Sequence, residues 1–141
     1  MKTLVFVSVA LCTLIFGSLS WKSTATATDL QKRKAVTEFA RPVTVQGIVL
    51  EGTYLFVHDE AAMARGDACT YIYKGEAEMR DQLVASFHCI HVQRAKVNNF
   101  ILRSRETAPG IHELVEFQFS GETVGHGVPP APNVAVVPLV N

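Results

Sequence analysis

The chain has 141 residues and a formal net charge of zero, with 13 lysines and arginines against 13 aspartates and glutamates. This length is typical of one domain. Because no basic surplus exists, nothing in the charge favours contact with a phosphate backbone, which argues against nucleic-acid binding.

Residues 1–20 have the order of features found in a secretory signal peptide. Lys2 precedes an apolar run over residues 4–16, and small residues follow as far as Ser20. The run is about a dozen residues long, whereas a membrane-spanning helix needs roughly twenty. We therefore predict export to a periplasmic or extracellular location. Cleavage after Ser20, or as late as Ala27, would leave no transmembrane segment.

The remaining chain divides by composition into three parts. Residues 21–40 are polar and rich in threonine, and we interpret them as a tether. Residues 41–128 contain β-branched runs separated by turn residues and predict one β domain. Residues 129–141 form a Pro-rich tail, which cannot continue a sheet.

The predicted domain begins with a hairpin whose strands, 43–50 and 53–58, meet at Glu51-Gly52. Asp59 is a suitable N-cap for one or two helical turns ending near Gly66. Further strands are predicted over 69–73, 83–89, 97–104 and 111–119. We expect a mainly β fold, a small antiparallel sandwich or barrel of five to seven strands with one short helical insertion.

Cys69 and Cys89 are candidates for a disulfide. A hairpin that pairs them has its midpoint at residue 79, in a polar gap, and places Tyr71 opposite Phe87. Opposed residues lie about 4.5 to 5.5 Å apart at Cα, within the range that a disulfide accepts. Export would permit the bond. The alternative is two buried free thiols.

Five histidines are many for a domain of this size, and neutral imidazole is a preferred ligand of zinc and copper. On a regular strand, alternation sends His88 and His91 to opposite faces, so both cannot bind one ion without a bulge. The best candidate metal site combines His58, His88 and His126, from a strand end, a strand and a glycine-rich loop. The alternative is that these histidines titrate without binding a ligand.

No motif for nucleophilic or metal-dependent catalysis is evident, so the sequence favours a non-catalytic protein. The stretches GTYLFVHD (52–59), ARGDACT (64–70) and SFHC (86–89) resemble small uncharacterised exported bacterial β proteins. This resemblance implies bacterial export and assigns no catalytic residue. We expect a binding or structural role at the cell envelope, with a protein or small ligand as partner. The alternative is a secreted zinc- or copper-binding protein.

Overall fold

A computed structural model describes residues 31–132 of the chain. The predicted signal peptide, both cleavage positions and the tail from residue 133 lie outside the described residues. Within residues 31–132, no helix is long and apolar enough to cross a membrane.

The fold is mainly β, as predicted, and its strands form one mixed sheet curled into a half-barrel. The sheet has eight strands, one more than the upper limit of the prediction: β1 Lys32–Val45, β2 Ile48–Asp59, β3 Thr70–Lys74, β4 Leu83–Phe87, β5 Ile90–Gln93, β6 Ile101–Ala108, β7 Ile111–Gln118 and β8 Val124–Gly127. A single helical turn, α1 (Glu60–Ala64), follows β2, and a 3-10 turn (Arg80–Gln82) precedes β4.

The strand order is β4-β3-β2-β1-β7-β8-β5, with β6 paired to β7. Neighbouring strands are antiparallel except β1 and β7, which pair in parallel through Val43 and Thr44. Two strands in the middle of this order, β1 and β7, therefore separate β2 from β8. The curl of the sheet nevertheless brings the end of β2 close to β8.

The first hairpin corrects two of the sequence predictions. Its turn is at Gln46-Gly47, where both residues have positive φ (49° and 80°), and not at Glu51-Gly52. Consecutive positive φ values suit the twist of a two-residue hairpin turn. The predicted tether is wrong from Lys32 onward, because β1 begins there and pairs with β2. Its inward positions carry small or polar side chains as far as Phe39, so the apolar alternation is weak.

The helical insertion is present where the sequence predicts it. The side chain of Asp59 accepts a hydrogen bond from the backbone N–H of Ala62 at 2.9 Å, which caps the turn. Gly66 follows with φ 81° and reverses the chain toward β3.

Aromatic side chains dominate the core that the sheet encloses. Phe56 and Phe117 are fully buried, with ring centroids 5.4 Å apart, and Phe100 and Phe119 pack beside them. The complete buried cluster comprises Phe39, Val45, Leu50, Tyr54, Phe56, Ile72, Ala85, Phe87, Leu114, Phe117 and Phe119. The core ends at β8, where Phe117 stacks on the ring of His126 at 5.1 Å.

The register of β3 and β4 differs by one residue from the predicted hairpin. Thr70, not Tyr71, lies opposite Phe87, and the backbone N–H of Cys69 donates to the carbonyl of Phe87. The prediction assumed that residues on the two strands pair at equal distances from the midpoint of the hairpin. The observed connection between β3 and β4 contains the 3-10 turn, and the β3–β4 pairing contains a bulge, so the register is shifted. The strand also ends at Phe87, so Cys89 lies beyond the paired residues.

Candidate metal centre

Four potential metal ligands meet at one end of the half-barrel: His58, Cys89, His91 and His126. Each offers one donor atom, and these atoms all lie within 4.8 Å of one another. His58 is near the end of β2, Cys89 joins β4 to β5, and His91 and His126 lie on β5 and β8. The set is therefore assembled from segments far apart in sequence.

Strand pairing positions two of the imidazoles directly. His91 is opposite His126 in the antiparallel β5–β8 pair, so both side chains are on the same face of the sheet. The rings of these two residues are 5.3 Å apart. The third ring comes from across the curl, since the centroid of His58 is 4.3 Å from that of His126.

Two glycines allow β8 to approach its neighbours closely. A Cβ on Gly125 would lie 2.3 Å from Oε1 of Glu116, and a Cβ on Gly127 would lie 3.1 Å from the carbonyl oxygen of Ile90. The distance of 2.3 Å is shorter than the contacts that real Cβ atoms make with other atoms. Of the three residues Gly125-His126-Gly127, only the histidine thus has a side chain, and it points into the site.

Hydrogen bonding fixes the orientation of His126, which is 2 % exposed. Its Nε2 is 2.9 Å from Oε2 of Glu122, and its Nδ1 is 3.5 Å from Sγ of Cys89. A carboxylate accepts, so Nε2 carries the proton and Nδ1 presents its lone pair toward Cys89.

The electrostatic surroundings keep Glu122 ionised. Burial opposes ionisation, but the hydrogen bond from His126 and the positive charge of Arg33 outweigh it and hold the pKa of this carboxyl below its usual value. Arg33 Nε lies 3.2 Å from Oε1 of Glu122, so one carboxylate contacts both the arginine and the imidazole. An ionised Glu122 can therefore hold the proton at Nε2 of His126.

His58 is the most isolated polar group of the site. Its side chain is 1 % exposed, and neither ring nitrogen has a hydrogen-bond partner. Burial, reinforced by repulsion from His126 and His91, lowers its pKa from 6.5 to about 4. The ring is therefore neutral near pH 7, the form in which imidazole binds a metal.

The two cysteines are close, but they are free thiols and not the predicted disulfide. Their Sγ atoms are 3.3 Å apart, longer than the bond length of about 2.05 Å. Burial and the hydrogen bond with the Cys69 thiol raise the pKa of Cys89 to about 12, so without a bound cation this thiol stays protonated. Coordination to a metal ion reverses this preference.

The structure brings together two of the three histidines predicted to form the site, His58 and His126. It does not bring His88 to them, because that side chain is exposed and its Nε2 lies 2.9 Å from the carbonyl oxygen of Gly66. His91 and Cys89 take its place.

The reason for this difference is a break in the strand. The prediction placed residues 83–89 on one regular strand, but β4 stops at Phe87 and β5 begins at Ile90, so alternation does not run through His88 and Cys89. A usable signal was present, since Cys89 and His91 are two residues apart and such a pair shares a face of a strand. Assigning Cys89 to a disulfide concealed it.

A cavity of about 280 Å³ borders three of the ligands, His58, His91 and His126. Its remaining wall includes Arg33 and Glu122, and His91 is exposed at its edge. This cavity gives an ion or a small molecule a route from solvent to the site.

The chain matches no protein-family model, and comparison with curated proteins and with solved structures gave no match. The resemblance to exported bacterial β proteins therefore stays a prediction, and the argument about function rests on the geometry of the site.

Proposed function

We propose that this protein binds one zinc or copper ion through His58, Cys89, His91 and His126. Three imidazole nitrogens and one thiolate sulfur make up a donor set that both metals accept. The four donor atoms are grouped closely enough to reach a single ion after small side-chain rotations.

One distance fits coordination without any adjustment. Nδ1 of His126 and Sγ of Cys89 are 3.5 Å apart. In a tetrahedral zinc site, with nitrogen about 2.0 Å and sulfur about 2.3 Å from the metal, these two ligand atoms are about 3.5 Å apart.

The contact of Glu122 with His126 is the observation that carries the proposal. Metal-binding histidines commonly donate their second ring N–H to a carboxylate, which fixes the tautomer and makes the ligand more basic. Glu122 occupies this position at 2.9 Å, on the side of the ring opposite Cys89. A histidine that only filled space in the core would not need its other nitrogen aimed at a thiol.

The number of ligands supports a non-catalytic role. Four protein ligands complete a tetrahedral site, whereas catalytic zinc sites use three and keep one position for water or substrate. We infer a structural or carrier role for the ion, which agrees with the absence of catalytic motifs in the sequence.

The direct test is titration of the reduced, metal-free protein with zinc, copper(I) and cobalt(II). We expect one ion per chain, and thiolate-to-cobalt absorption that disappears in Cys89→Ser. His126→Ala and His91→Ala should weaken binding, whereas His88→Ala, which changes an exposed neighbouring histidine, should not. Failure to bind any of these ions, or an equal loss of affinity in His88→Ala, would contradict the proposal.

Export to the cell envelope is a second part of the proposal, supported by the charge and hydropathy of residues 1–20. Expression in a bacterial host with cell fractionation and N-terminal sequencing tests it. A mature protein beginning at Trp21 or Thr28 outside the cytoplasm is expected. Full-length protein that keeps Met1 in the cytosol would refute export without affecting the metal site.

A further inference from the structure

Cys69 lies directly behind Cys89, one of the four proposed metal ligands. Their sulfur atoms are 3.3 Å apart, and the backbone N–H of Cys89 donates to Sγ of Cys69. A disulfide would require the sulfur atoms to approach by roughly 1.3 Å, since the bond is about 2.05 Å long. Cys89 is thus within reach of two different partners, a metal ion and a second thiol.

We propose that Cys69 and Cys89 form a thiol–disulfide switch that controls metal binding. This inference rests on the proposed function, because it concerns the same site. The ligand for a metal is the thiolate, and a sulfur atom in a disulfide is no longer a thiolate. Bond formation between Cys69 and Cys89 therefore removes Cys89 from the ligand set and leaves three imidazoles.

Differences in burial set the order of the reaction. Cys69 is fully buried, whereas Cys89 is partly exposed, so a reagent from solvent meets Cys89 first. We name a small-molecule disulfide, such as oxidised glutathione, as the oxidant. Cys89 gives up its proton and attacks the reagent as a thiolate, which forms a mixed disulfide. The departing small thiolate takes up the proton and leaves as one small thiol.

Cys69 completes the reaction by displacing the second small thiol from Cys89. In total the protein loses two protons and two electrons, and the reagent gains them and is released as two thiols, so no further reactant is needed. A bound metal opposes the first step because it occupies the Cys89 sulfur. Metal binding and oxidation are consequently competing states of one residue.

The first experiment compares zinc affinity in the reduced and oxidised states of the full-length chain. Cys12 is changed to serine, so that only Cys69 and Cys89 carry thiols. We expect oxidation by glutathione disulfide to lower the affinity by about 100-fold or more, since losing a ligand should cost at least as much as losing a ligand's hydrogen-bonding partner. Reduction with dithiothreitol should restore it.

Mass spectrometry of the same samples identifies the oxidised species. The Cys12→Ser chain should lose two hydrogens, and adding Cys69→Ala should stop the reaction at a glutathione adduct on Cys89. Prior loading with zinc should slow oxidation of the chain that retains Cys69.

The outcomes separate the two proposals. If the reduced protein binds zinc but oxidation stops at the adduct with Cys69 present, the switch is refuted and the metal site stands. If the disulfide forms and the oxidised protein binds zinc equally well, the switch is refuted and Cys89 is not a ligand, which leaves a site of three imidazoles. If the reduced protein binds no metal, both proposals are wrong.

Discussion

At the scale of single residues, His58 has the most unusual environment. Its two ring nitrogens are buried without hydrogen bonds, although buried polar groups are normally paired. Leaving such a group unpaired costs about 1–3 kcal/mol. A residue that destabilises the metal-free fold in this way is best explained by a ligand that it binds, because proteins accept local strain of this kind mainly at functional sites.

Replacing His58 by leucine should therefore affect stability and binding in opposite directions. We expect His58→Leu to raise the free energy of unfolding of the metal-free protein by about 1–3 kcal/mol, because the unpaired nitrogens are removed. The same change should weaken zinc binding. Urea unfolding in the presence of a chelator measures the first effect, with exposed His88→Leu as a control that should change it little. A destabilised His58→Leu would show that the ring is satisfied in the metal-free state.

The lowered pKa of His58 also predicts a pH dependence. With a pKa of about 4 in the folded protein and 6.5 as the reference for the unfolded chain, the unfolded state binds more protons between these values. The free energy of unfolding of the metal-free protein should thus fall as the pH decreases from about 6.5 to 4, by up to about 3 kcal/mol.

Urea unfolding of the metal-free wild type and of His58→Leu at several pH values isolates this contribution. The variant should lose the part of the pH dependence that comes from His58, while the carboxylates of both proteins titrate alike. Identical pH profiles in the two proteins would rule out the lowered pKa.

Glu122 is expected to act on the metal through His126. Glu122→Gln keeps an acceptor oxygen but removes the negative charge that makes the imidazole a stronger ligand. We expect zinc affinity to fall about 10- to 100-fold, as is typical when a ligand loses its carboxylate partner. Glu51→Gln, which changes an exposed carboxylate on β2, is the matched control. Equal affinities in the two variants would mean that the Glu122 contact has no part in binding.

At the scale of elements, the site depends on where strands stop. The break after Phe87 releases His88 to the surface and restarts the chain as β5, which carries His91 toward β8. The glycines of β8 then allow that strand to lie against Glu116 and Ile90. Strand ends and glycine contacts, more than strand interiors, bring the ligands together.

The turn of the first hairpin offers a test at the same scale. Gly47 has φ 80°, and a Cβ there would meet nothing within 4 Å, so only backbone strain opposes substitution. We expect Gly47→Ala to lower the free energy of unfolding by about 1–2 kcal/mol and Gly47→Asn to lower it less, because asparagine tolerates the left-handed region. Urea unfolding measures both. If Gly47→Ala and Gly47→Asn lower the free energy of unfolding equally, the cause is an effect of the added side chain and not backbone strain.

The sequence predicted those elements whose signals are local. The mainly β class follows from β-branched runs, and the helical turn follows from Asp59 and Gly66. The first nine residues of β1 were missed because their inward positions are mostly small or polar, and they pair only because β2 lies beside them. Gln46 was missed as a turn residue because glutamine rarely adopts positive φ.

Prediction of the candidate site was limited by its dependence on tertiary contacts. His58 and His126 were selected for their positions at a strand end and in a glycine-rich loop, and the structure places them together. The only local signal for His91 was its spacing of two residues from Cys89, and no local signal excluded His88, because its exclusion depends on a break in the strand. Glu122 had no signal at all, since its role depends on the folded position of His126.

At the scale of the whole molecule, the candidate site joins parts of the sheet that share no hydrogen bonds. β2 is separated from β8 by β1 and β7 in strand order, yet His58 contacts His126 across the curl. Cys89, just before β5, and His91, on β5, connect a further strand to the site. Strand β5 is at one end of the sheet and, within residues 31–132, pairs only with β8. A bound ion would therefore fasten the short strands β5 and β8 to the long strand β2.

Metal binding should consequently stabilise the protein and protect one region of it most. With free zinc at 100 times its dissociation constant, the free energy of unfolding should rise by about 2.7 kcal/mol, provided that the unfolded chain does not bind. Amide hydrogen exchange should slow chiefly in β5 and β8, which pair with each other over four residues and join the rest of the sheet through two residue pairs between β8 and β7. It should slow less in β6, which pairs with β7 away from the site. Cys89→Ala should show neither effect at the same zinc concentration. Protection spread evenly over all strands would instead indicate that zinc stabilises the fold without fastening these strands to β2.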